Sequence, residues 1–113
     1  MSSLRLQKIE RLLQKELGEI LQKESRTICN GAIVTVTIVR ISSDLSFAKV
    51  YVSIFAPGKN VLDVFNMIND NVKHIRTTLG NSIRHQLRIV PELAFHIDDS
   101  LDYLANIEKL LNQ

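Results

Sequence analysis

The chain has 113 residues, 45% of them apolar and 23% charged, proportions of a folded domain and not of a disordered chain. No apolar run approaches the roughly 20 residues that span a bilayer, and the lone Cys29 excludes an internal disulfide. The net charge of +2 hides an asymmetry: residues 1–91 carry thirteen Lys/Arg against seven Asp/Glu, a balance of +6, and residues 92–113 carry one Lys against five acids, a balance of −4.

Leu6, Ile9, Leu13, Leu17 and Ile20 recur every three or four residues, which predicts an amphipathic helix over residues 4–24. Gly18 falls inside it at a cost of roughly 1 kcal/mol relative to alanine. Asn30-Gly31 marks a turn. Residues 32–41 are dense in β-branched side chains, with Val34, Val36 and Ile38 alternating with Thr35 and Thr37, and read as a strand. Ser42-Ser43-Asp44 supplies a turn. In the next strand, residues 46–55, Ala48, Val50, Val52 and Ile54 form one face, and Lys49, Tyr51 and Ser53 the other. The short connection predicts an antiparallel hairpin.

Ala56-Pro57-Gly58 ends that strand. Val61, Phe65, Ile68, Val72, Ile75, Leu79, Ile83 and Leu87 then form a long helical stripe, stopped by Pro91. Such a helix would be about 40 Å long and would overhang a small sheet, so a break is expected between Asn71 and Gly80. Local chemistry alone favours Gly80-Asn81. Leu93, Phe95 and Ile97 predict a third strand over residues 92–98. Asp98-Asp99-Ser100 offers cap oxygens for a final short helix carrying Leu101, Leu104, Ile107 and Leu111. The expected fold is α+β, in the order α-β-β-α-(kink)-α-β-α. It is one domain over residues 1–113, with a three-stranded sheet covered by helices on one face.

The chemistry-bearing residues exclude more than they assign. His74, His85, His96 and Cys29 show no metal-ligand spacing, so neither metal nor cofactor is expected. Asp98 and Asp99 read as helix caps, not as an acid/base pair. Neither a phosphate-binding glycine loop nor a nucleophile elbow is present, and we expect no enzyme. From Asn71 to Pro91, Lys73, Arg76, Arg84 and Arg88 occur with no acid, and Arg84 and Arg88 would share one helix face. A one-sided basic segment suits a phosphate-bearing partner, although composition alone equally allows a solvated helix face. Lys8, Arg11 and Lys15 share a sector of the first helix. Tyr51 and Phe55 could stack bases, but packing beneath a helix or loop is the expectation for both.

The α-β-β-α-α-β order is that of the type II KH domain, and several segments narrow the match. They are Gln14-Lys15-Glu16-Leu17-Gly18-Glu19-Ile20, Val34-Thr35-Val36-Thr37, and Asp44 to Ser53. Ile75-Arg76, Leu79-Gly80, Leu87 to Phe95 and Asp98 to Tyr103 complete the set. In this joint order the chain resembles the ribosome-binding factor A family along nearly its whole length. The resemblance implies a non-catalytic, cytoplasmic, monomeric factor. Such a factor binds the small (30S) ribosomal subunit and its 16S rRNA near the neck and decoding region. It assists late maturation, including the 5′ end of the precursor, above all in the cold, and a ribosome-associated GTPase helps to release it. The implied RNA-binding residues are Lys73, Arg76, Arg84 and Arg88, with Lys8, Arg11 and Lys15. The alternative is a KH-shaped protein-interaction module without RNA contact. The Gly-x-x-Gly loop of KH domains that grip single strands is missing. The family's Ala-x-Gly kink maps onto Asn71-Val72-Lys73, ahead of His74-Ile75-Arg76, and His85-Gln86 is an insertion.

Overall fold

The computed structural model describes residues 4–98. Helix α1 (Leu4–Lys23) is followed by a one-turn helix α2 (Ser25–Ile28). The hairpin strands are β1 (Ile33–Ile41) and β2 (Phe47–Phe55); then come α3 (Val61–Asp70), α4 (Val72–Ile83) and β3 (Glu92–Ile97). Apart from α2, this is the type II KH order. The final helix expected from Leu101 lies outside the described residues.

The apolar stripe of α1 buries Ile9, Leu13, Leu17, Ile20 and Leu21 along β1 and against α4. Two polar side chains fasten the helix to the strand. Glu10, only 7% exposed, accepts the Ile41 N–H at 2.9 Å. Gln14 Nε2 donates to the carbonyls of Val36 and Thr37 at 3.1 and 3.3 Å. Each of these bonds satisfies a backbone group that would cost about 1–3 kcal/mol if buried alone.

The sheet order is β1-β2-β3, with β1 antiparallel and β3 parallel to β2. Asn30 and Gly31 both take positive φ, as the turn into β1 requires. The alternation read from β1 holds only as far as Val36. A β-bulge at Thr37 shifts the register, so Val36 pairs with Val52 and Ile38 with Tyr51. The extra residue turns Ile38 outward, contrary to the simple alternation, and brings Val39 and Ile41 into the core. The core face thus consists of Val34, Val36, Val39, Ile41, Ala48, Val50, Val52, Ile54, Leu93 and Phe95, under α1, α3 and α4.

The long helical stripe breaks at Asn71. Its N–H bonds to Ile68 O at 3.0 Å, and its side chain donates to Met67 O at 2.8 Å, so the residue closes α3 with a tightened turn before α4 begins. The break preserves the stripe: Val64 and Ile68 before it, and Ile75, Leu79 and Ile83 after it, are all buried. Gly80 is not the break. It lies within α4, where a Cβ would stand 3.0 Å from Val90 Cγ2, so its role is to let the segment before β3 come close. The helix stops at Ile83, short of the expected Leu87, because the chain must return to pair β3 alongside β2. Gln86 and Leu87 N–H groups both bond to Ile83 O as it turns.

Candidate nucleic-acid interface

Lys73 and Arg76 leave the exposed face of α4, opposite the buried Ile75, Leu79 and Ile83. With Thr77, Gly80 and Val90 they line a groove of about 440 Å³. Arg76 also does structural work. Its Nε donates to Pro91 O at 3.1 Å and its terminal nitrogen to Val90 O at 2.7 Å. The guanidinium therefore fastens the segment before β3 onto α4, and only its remaining N–H groups can meet a ligand. Thr77 and Thr78 return their hydroxyls to the carbonyls of Lys73 and His74. His74 Nε2 lies 2.6 Å from Glu24 Oε1, joining α4 to the end of α1.

Arg84 and Arg88 do not share a helix face, because α4 ends at Ile83. Arg84 is its C-cap, and Arg88 lies in the irregular segment leading to β3; both are exposed. They decorate a turn, which Pro91 and the parallel return of β3 impose.

The structure divides the α1 trio. Lys8 lines a groove of about 390 Å³ with Leu4, Arg5, Ile9, Gln86 and Leu87, and so sits with the Arg84–Arg88 turn. Arg11 and Lys15 lie instead along β1. None of the seven candidate cations forms an ion pair among the described residues. Carboxylates have thus not taken up their charge, as a phosphate contact requires.

The outer sheet face holds residues the sequence reading passed over. Arg40 and Lys49 are register partners on it and both are exposed. Like charges directly opposite each other are unfavourable without an anion nearby. For Lys49 the signal was present in the alternation, but Arg40 turns outward only through the bulge at Thr37, and the register was needed to bring the two together. Phe55, expected to pack beneath a helix or loop, is 63% exposed. Tyr51 is half-buried, with its ring centroid 5.4 Å from that of His96. Among the described residues no three His, Cys, Asp or Glu side chains gather to hold a metal. Burial pushes the Cys29 thiol up to about 11, away from nucleophile or ligand chemistry. Among the described residues no helix is long and apolar enough to cross a membrane.

A family model described as ribosome-binding factor A matches residues 5–111. The chain belongs to that family. Ribosome-binding factor A of Cytophaga hutchinsonii is 40% identical over 114 residues, covering 100% of this chain and 84% of that protein. Ribosome-binding factor A of Christiangramia forsetii is 46% identical over 106 residues, covering 93% and 80%. The fold is likewise that of ribosome-binding factor A from Thermus thermophilus, whose crystal structure matches with a TM-score of 0.67 at 23% identity, over 81% of this chain and 94% of that one. A homology model of Thermus thermophilus ribosome binding factor A, fitted into the cryo-EM map of a complex with the 30S subunit, matches with a TM-score of 0.65 at 24% identity, over 81% and 93%. In ribosome-binding factor A terms, the break at Asn71 stands where the sequence places the family's Ala-x-Gly kink. Asparagine closes the first helix there with its side chain, where the family uses small residues.

Proposed function

We propose that this chain is a non-catalytic assembly factor that binds the small ribosomal subunit through 16S rRNA. It assists late maturation, including formation of the 5′ end, in the cytoplasm and most critically in the cold. Family membership supports the ribosomal target, as does the 30S complex of the Thermus thermophilus relative. The observation that carries the RNA reading is the cluster of cations without carboxylate partners on one flank of the molecule. Lys73 and the free part of Arg76 lie on α4, Arg84 and Arg88 on the turn after it, and Lys8 beside that turn. Arginine forks there suit pairs of phosphate oxygens. Release by a ribosome-associated GTPase fits a factor that must leave once the subunit is finished.

The test is co-sedimentation of the tagged protein with mature and immature small subunits on sucrose gradients. Preferential association with immature subunits is expected, together with accumulation of 5′-unprocessed 16S rRNA in a deletion strain grown cold. Normal precursor levels in that strain would refute the maturation role.

A further inference from the structure

The groove between α1 and β1 lies apart from the basic flank and has a different construction. It holds about 770 Å³ and is walled by Arg11, Gln14, Lys15 and Gly18 of α1 and by residues 31–36 at the start of β1. Among the described residues β1 is an edge strand, paired with β2 alone. The side chains of α1 bond its other edge only from Val36 onward, through Gln14 and Glu10. Along residues 33–35 no described group does so. An open edge is a template for another extended chain, and proteins usually protect it. Here no described residue supplies that protection, and Ile33 is 63% exposed.

Gly18 points the same way. A glycine within a helix costs roughly 1 kcal/mol relative to alanine. Gly80 has a packing reason, but at Gly18 nothing lies within 4 Å of the place a Cβ would occupy. The space it leaves is the groove itself, where a missing side chain lets another backbone approach α1. Residues 31–36 span about 20 Å when extended, and the facing part of α1, from Arg11 to Gln22, about 17 Å. The groove therefore suits about six extended residues. Arg11 and Lys15 stand on its wall, and Lys59, donating to the Asn30 carbonyl, stands beside Gly31 at its end, against Glu19 alone. No lining residue is aromatic, so the groove offers no ring on which to stack a base.

We propose that this groove docks an extended, acidic peptide segment of a protein partner as an added strand on β1. Backbone pairing along residues 33–35 would give affinity, and the cations would select acidic side chains.

The probe is a fluorescein-labelled seven-residue peptide alternating valine and aspartate, with a valine–lysine peptide and decauridylate as comparisons. Binding is read by anisotropy and mapped by amide shifts in NMR spectra of the full chain. The expected result is that the acidic peptide binds at least tenfold more tightly than the lysine peptide and shifts the amides of residues 31–36. Gly18→Leu, which fills the groove from a position with room for a side chain, should weaken it at least tenfold. Should Gly18→Leu not fold, Arg11→Glu with Lys15→Glu provides the second reading, with an expected loss of at least fivefold. Absence of binding, shifts confined to other residues, or undiminished binding by a folded variant would overturn the proposal. So would shifts at residues 31–36 produced by decauridylate, which would make the groove an RNA site.

Discussion

The molecule has two seams where a helix meets the segment beside it, and one is closed while the other is open. Along α4 the segment before β3 is pulled tight: Val90 presses on Gly80, and Arg76 holds the carbonyls of Val90 and Pro91. Along α1 the side-chain hydrogen bonds to β1 come from Glu10 and Gln14, and beyond them Gly18 faces empty space. Both seams carry Lys and Arg and both contain a helical glycine, so residue type does not separate them. The closed seam displays its cations on a firm backing, which suits a rigid phosphate backbone. The open seam offers unpaired strand edge, which suits a polypeptide.

The largest expected effect lies on the closed side. Arg84→Glu with Arg88→Glu removes two charge-assisted contacts, together about 3 kcal/mol or roughly a hundredfold in affinity for immature subunits. The slope of log affinity against log salt should fall by nearly two. Both side chains are exposed, so the melting curve should stay close to the parent's. Unchanged affinity and slope would reduce the basic flank to a solvated surface. Lys8→Glu, with a single contact, should cost less.

Next, Arg76→Ala should destabilise the fold by about 1–2 kcal/mol, because it strips partners from two carbonyls at the entry to β3. Arg76→Lys should recover only part, since an ammonium cannot span both carbonyls as the fork does. Denaturant melts decide this, and an Arg76→Ala protein as stable as the parent would show the clamp to be ornamental.

The two glycines supply a smaller and sharper contrast. Gly18→Ala should stabilise by up to about 1 kcal/mol through helix propensity. Gly80→Ala should gain nothing or lose stability, because its Cβ would meet Val90 at 3.0 Å. Equal gains at both positions would mean that the closed seam is slack. The smallest effect belongs to the hairpin turn, which lies in neither seam. Hydrogen bonds from the side chain and backbone of Ser46 and from the Ser42 hydroxyl hold the Asp44 carboxyl down at about 2. A carboxyl depressed in the folded state contributes stability above its ordinary value near 3.8, and that contribution is lost as pH falls toward 2. Asp44→Ala should therefore flatten the acid limb of the stability profile slightly without affecting either seam.

The three strands and both long helical runs were legible because each segment keeps a clean period, and strand ends fell within a residue or so of expectation. The bulge at Thr37 was not legible, since an inserted residue changes the phase without changing composition. Helix α2 is too short to show a period. The break at Asn71 could be placed only through the family's segments: it preserves the apolar stripe, and Gly80 looked the better local candidate. The seven candidate cations are all exposed, but their grouping was not legible. Lys8 joins Arg84 and Arg88 only because α1 and the turn after α4 meet in space, and Arg40 beside Lys49 depends on strand register.

The parallel pairing of β3 with β2 has a consequence for how the chain folds. The β1–β2 hairpin joins neighbouring residues and can form as soon as both strands exist. Val50 can find Phe95 only after residues 56–91 have been made and folded back. Closing that long connection costs more entropy than closing the hairpin turn, and non-local pairing of this kind slows folding. During synthesis the hairpin and α1 must therefore wait with the flank of β2 unpaired, and the slowest step should be the arrival of β3. Substitutions that loosen α4 against the segment before β3 should accordingly slow refolding more than substitutions in the hairpin turn.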